Sequence, residues 1–81
     1  MKATVLVRPK AGILDPQGEA VQASLRTLGF ALTGARVGRI VDLELETADR
    51  EAARAEVERM CAELLANPLI ESVEIQIVEG E

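Results

Sequence analysis

The junction Ala66-Asn67-Pro68 constrains this chain more than any other segment. Upstream, Ala53, Val57, Met60, Cys61, Leu64 and Leu65 recur on one side of a helical wheel, the spacing of a helix that packs by one face. Downstream, Val73, Ile75 and Ile77 alternate with Ser72, Glu74 and Gln76, the period of a half-buried strand. Proline blocks continuation of a helix, and asparagine tolerates the left-handed backbone of a helix exit. The spacing predicts a helix from residue 47 or 49 to 66 and a strand over 71–78, with 79–81 fraying.

The same reading applied to the rest gives a first strand over residues 2–8 and a rigid loop at Pro9-Lys10-Ala11-Gly12. A first helix follows, capped by Asp15, opened by Pro16 and stopped by Gly29, residues that suit those three places. Val21, Leu25 and Leu28 form its apolar stripe. Residues 31–46 read as two strands joined by a tight turn at Gly38-Arg39, the earlier one (32–37) weakened by Gly34 and Ala35. Gly34 marks a bulge or a close backbone approach. The predicted order is β-α-β-β-α-β, an α/β (α+β) sandwich. It is a single domain over 1–81, a four-stranded sheet with two helices on one face. Thr4, Leu6, Arg8, Leu32, Arg36, Asp42, Glu44, Glu74 and Gln76 are the candidates for its open side, a mixture that a second copy packing there, or pairing with a strand edge, would account for.

Composition excludes much chemistry. With 81 residues and a single aromatic, Phe30, the core is thin and aliphatic, and small units of this kind gain stability by association. No histidine is present and Cys61 is the lone cysteine. An imidazole base, a disulfide within the chain and a cysteine-rich zinc site are therefore all excluded. Residues 1–39 carry six basic and two acidic side chains, residues 40–81 three and twelve, and the whole is −5. That balance and the missing aromatics argue against nucleic acid as a partner. No segment reads as a signal peptide or membrane span, and a cytoplasmic location is expected.

No pair of the fourteen carboxylates is singled out by spacing, so no catalytic, cofactor or metal residue is assigned. The loop Arg8-Pro9-Lys10-Ala11-Gly12 sets two cations beside a helix N-terminus. It suits a partner's carboxylate, a small anion, or turn chemistry alone. Arg36 and Arg39 flank Gly38, and Asn67 offers a rigid turn surface. Arg8, Lys10, Arg36, Arg39 and Asn67 are the candidate subunit contacts. A dimeric module that binds a small metabolite is the alternative that the residues leave open.

The motifs Arg8-Pro-Lys-Ala-Gly-Ile-Leu-Asp-Pro-Gln-Gly18, Thr27-Leu-Gly-Phe30, Arg36-Val-Gly-Arg39 and Leu64-Leu-Ala-Asn-Pro-Leu-Ile-Glu71 occur in that order. Together they resemble the PurS family, small subunits of phosphoribosylformylglycinamidine synthase. The resemblance implies a β-α-β-β-α-β fold that forms dimers or tetramers. It implies two further partners, a large synthetase subunit (PurL) and a glutaminase subunit (PurQ). The assembled ligase converts formylglycinamide ribonucleotide, ATP, glutamine and water to the amidine, ADP, phosphate and glutamate in purine biosynthesis. ATP and magnesium are expected on the synthetase subunit, and this chain is expected to assist assembly and ammonia transfer. The implied role of Pro9, Lys10, Gly12, Leu14, Asp15, Pro16, Gly18, Gly29, Phe30, Arg36, Gly38, Asn67 and Pro68 is fold maintenance and subunit contact. Arg39 stands where the family often has lysine, and Val73 where an aromatic is common.

Overall fold

The computed structural model describes residues 1–78 and sets three antiparallel strands beside two helices. Strand β1 (Lys2–Pro9) is central, flanked by β2 (Arg39–Glu44) and β3 (Glu71–Val78) in the order β2-β1-β3. The expected fraying of 79–81 lies outside the described residues. Alternation in β1 turns Ala3, Val5 and Val7 to one face, where they are buried. Register then places Val41 and Ile75 beside Val5, and Leu43 and Ile77 beside Ala3.

Helix α2 (Arg50–Met60) covers that face. The Asp49 side chain accepts the Ala52 N–H at its start, and Ala53, Val57 and Cys61 are buried at intervals of one turn. Burial of each large aliphatic side chain is worth about 1.5–3 kcal/mol. Helix α2 runs on into one π turn, Cys61–Leu65, closed by the Ala66 N–H on the Cys61 carbonyl at 3.1 Å. The wider turn shifts the phase of the stripe. Leu65 stays against the core, whereas Leu64, expected on the same stripe, is 83% exposed.

The sheet has three strands among the described residues, and the fourth strand expected over 32–37 is not formed. Its backbone groups are engaged elsewhere. The Val37 N–H goes to an Asp15 carboxylate oxygen at 2.9 Å, and the Arg36 side chain is anchored to the loop after β1. Glycine and alanine at 34 and 35 also give a strand little side chain to pack. The tight turn at Gly38-Arg39 is likewise replaced, since Arg39 already pairs with Val7 inside β2. Nothing approaches Gly34; the close approaches are at Gly18 and Gly38.

The expectation that both helices cover one sheet face is also overturned. Helix α1 (Pro16–Thr27) contributes no residue to the core or to the apolar shell around it. Its two ends form as their residues dictate. The Asp15 side chain accepts the Gly18 N–H at 3.1 Å. Gly29 has φ 102°, and the Gly29 and Phe30 N–H groups bond the Arg26 and Leu25 carbonyls, a Schellman ending. Those signals form a helix but do not seat it. The Cα radius of gyration is 15.9 Å, with extents of 48 × 27 × 14 Å. A compact chain of this length would have roughly 12 Å. No described helix is long and apolar enough to cross a membrane.

Candidate subunit-contact site

At one end of the sheet β1 ends while β2 and β3 begin, and the basic candidates meet there. Arg8, Arg36 and Arg39 line one open cleft of about 490 Å3, floored by Leu6, Pro9 and Ile40. Gly38 is part of its wall, and a side chain there would run into the Val7 carbonyl.

Each arginine is held differently. Arg36 donates to the Lys10 and Ile13 carbonyls at 2.9 and 3.2 Å and lies 3.7 Å from Asp15. Arg39 forks onto both oxygens of Glu71 at 2.9 and 3.2 Å and also donates to the Leu65 carbonyl. Arg8 has a single bond to Glu74 at 3.4 Å, with both side chains more than half exposed. Such exposed pairs are weak and readily exchanged. Lys10 uses its backbone to join the loop to Ile70 and Arg36, and its side chain is exposed.

Asn67 enters the cluster through Glu71. Its N–H donates to the Glu71 carboxylate at 2.7 Å, and its side-chain oxygen accepts the Leu69 N–H at 3.1 Å. Among the described residues no non-glycine has positive φ. Asn67 therefore ends the helix by side-chain turn chemistry and not by the left-handed backbone expected for it. The structure brings Arg8, Arg36 and Arg39 to one cleft, ties Asn67 to Arg39 through Glu71, and leaves the Lys10 ammonium outside the lining. Leu32 and Arg36 do not lie on the sheet's open side, because their segment is not a strand.

Asp15 and Glu71 anchor the site and were missed as members of it. Bonds from the Val37 and then the Gly18 N–H hold the Asp15 carboxyl below its ordinary range, helped by the nearby Arg36 charge. Glu71 is lowered first by the Arg39 hydrogen bond and then by the Asn67 N–H. A depressed folded-state pKa stabilises the fold fully above the unfolded-state value, about 4 for aspartate. That stabilisation is lost as pH falls through the folded value. Urea unfolding followed from about pH 7 to about pH 2 is therefore expected to show a steep acid loss. The Asp15→Ala variant should be less stable at neutral pH and lose less on acidification; parallel curves for the two proteins would contradict this.

Residues 2–79 match the family model described as PurS, phosphoribosylformylglycinamidine (FGAM) synthase. The PurS subunit of Methanocaldococcus jannaschii is 39% identical over 81 residues, covering 99% of this chain and 98% of that one. The crystal structure of the M. jannaschii PurS superposes with a TM-score of 0.86 at 38% identity, over 99% of this chain and 98% of that one. A chain in the structure of PurLQS from Thermotoga maritima gives a TM-score of 0.85 at 32% identity, with 95% of each chain covered.

Proposed function

Because the chain belongs to the PurS family of phosphoribosylformylglycinamidine synthase subunits, we propose that it is the noncatalytic small subunit of that ligase. The complex converts formylglycinamide ribonucleotide to its amidine, drawing nitrogen from glutamine and energy from ATP. This chain helps to assemble the glutaminase (PurQ) and synthetase (PurL) subunits and assists passage of ammonia between them. ATP and magnesium belong to the synthetase. The observation that carries the reading is the family match from residue 2 to residue 79. The basic end of the sheet supports it, since Arg8, weakly held and exposed over an apolar floor, suits a carboxylate on a partner protein.

In this reading Arg8, Lys10, Arg36, Arg39 and Asn67 serve the subunit contacts, with two kinds of task. Arg36, Arg39 and Asn67 hold the surface in shape through bonds within the chain. Arg8 and Lys10 present charge outward. Lys10→Glu is expected to weaken assembly with the synthetase and glutaminase subunits by roughly tenfold, as a lost interfacial charge does. Its own unfolding midpoint should not move. The pure chain should show neither ATP hydrolysis nor glutaminase turnover. Calorimetric titration and steady-state assays read both, and unchanged affinity or turnover by the rigorously purified chain would count against the reading.

A further inference from the structure

Residues 10–38 leave the sheet after β1 and return to it at β2, and Gly18 is the one buried residue among them. None of them belongs to the core or to the apolar shell around it. The large apolar side chains Val21, Leu28 and Phe30 are exposed. Both ends of the excursion are pinned to the sheet. The Lys10 N–H bonds the Ile70 carbonyl at 2.9 Å, and Gly38 sits against the Val7 backbone. Between those pins the chain is tied only to itself. Among the described residues, every hydrogen bond and ion pair of residues 11–37 finds its partner within 10–37.

The outgoing and returning limbs meet at a polar neck. Asp15 accepts the Gly18 N–H on one carboxylate oxygen and the Val37 N–H on the other. Arg36 reaches across to the Lys10 and Ile13 carbonyls and stands 3.7 Å from Asp15. Gly18 lets the start of α1 lie against the Ala35 carbonyl, where a β-carbon would not fit. Toward Ile70 and Glu71 the neck faces an open cleft of about 240 Å3.

We propose that residues 11–37 form an arm that opens as one unit while the sheet and α2 stay folded, and that Asp15 and Arg36 are its latch. Cooperativity follows buried apolar contact, and a segment held by hydrogen bonds within reach of water opens on its own. Releasing the arm uncovers Gly18 alone, whereas unfolding the remainder uncovers Val5, Val7 and Val57. Opening also carries Arg36 out of the wall of the cleft that it shares with Arg8 and Arg39. The contact surface therefore has two states, and only the latched one is complete. That bearing on subunit contact rests on the proposed function; the arm itself does not.

Native-state hydrogen exchange on the full chain tests it, at one protein concentration and in urea below the unfolding transition. Amides of α1 should exchange through an opening that urea hardly promotes, roughly a hundredfold or more faster than those of β1, which wait for global unfolding. Val57→Ala loosens the core without touching the arm. Exchange in β1 should rise by roughly thirtyfold, while that in α1 stays within about twofold. Asp15→Asn leaves one acceptor oxygen for two N–H groups. The latch is absent from the open arm and the unfolded chain alike, so α1 and β1 should both speed up, by roughly tenfold. The urea dependence of the unaltered chain needs no variant to fold. One urea dependence shared by α1 and β1, or α1 accelerating in step with β1 in Val57→Ala, would overturn the arm. An α1 unmoved by Asp15→Asn would overturn the latch. Neither readout involves the synthetase or glutaminase subunits, so a failed arm leaves the subunit role standing, and failed co-assembly leaves the arm.

Discussion

Replacing Gly38 by alanine is expected to destabilise the chain by about 3 kcal/mol or more, as forced overpacking against unyielding atoms does. A β-carbon there would lie 2.2 Å from the Val7 carbonyl oxygen and 3.2 Å from its carbon. Both belong to the backbone of the central strand, whose pairings on two sides leave it no direction in which to retreat. Gly18→Ala meets a similar obstacle, with the Ala35 carbonyl at 2.3 Å and the Asp15 carboxylate at 2.4 Å. Alanine's better helix propensity, worth about 1 kcal/mol, does not offset that. Gly34→Ala is the internal control. Nothing lies within 4 Å of its β-carbon, and its effect should stay within about 0.5 kcal/mol. Total stability of a chain this size is roughly 4–12 kcal/mol, so the first substitution removes a large share. Urea unfolding of the three variants reads the ranking, and Gly38→Ala behaving like Gly34→Ala would refute the packing argument.

Local signals were legible in the sequence and their assembly was not. The three strands that pack, both N-caps and the glycine stop at Gly29 follow from short-range chemistry, and each is present. The segment 32–37 carries enough apolar alternation to suggest a strand. Its Val37 N–H is claimed by Asp15, twenty-two positions away in sequence, a long-range competitor that no local window contains. The stripe Val21, Leu25, Leu28 suggested a helix face packed on the sheet, and no residue of it joins the core. In this chain Leu28 remains 73% exposed. The candidate site shows the same division. Arg8, Arg36 and Arg39 were identifiable because they crowd proline and glycine. Glu71 was passed over as one more strand carboxylate, although it joins Arg39 to Asn67. Its position four residues after Asn67 was the available clue.

Omitting this chain is expected to cut glutamine-driven amidine formation by the remaining synthetase and glutaminase subunits by tenfold or more. Turnover on added ammonium salt should be spared. Ammonia made at one site and used at another must arrive unprotonated and before it escapes. Holding the two sites in register replaces a dilute encounter with a local one, for which gains of about 10²-fold or greater are ordinary. A chain without a histidine, and with its lone cysteine buried, can contribute in this positional way while donating no group to the chemistry. Burial, reinforced by the Glu58 charge, pushes the Cys61 thiol up in pKa, away from nucleophilic use. The decisive measurement is the ratio of glutamine-supported to ammonia-supported turnover in the reconstituted system, with and without the chain. The ratio is expected to collapse when the chain is withheld and to return when it is added back. A ratio indifferent to its presence would contradict it.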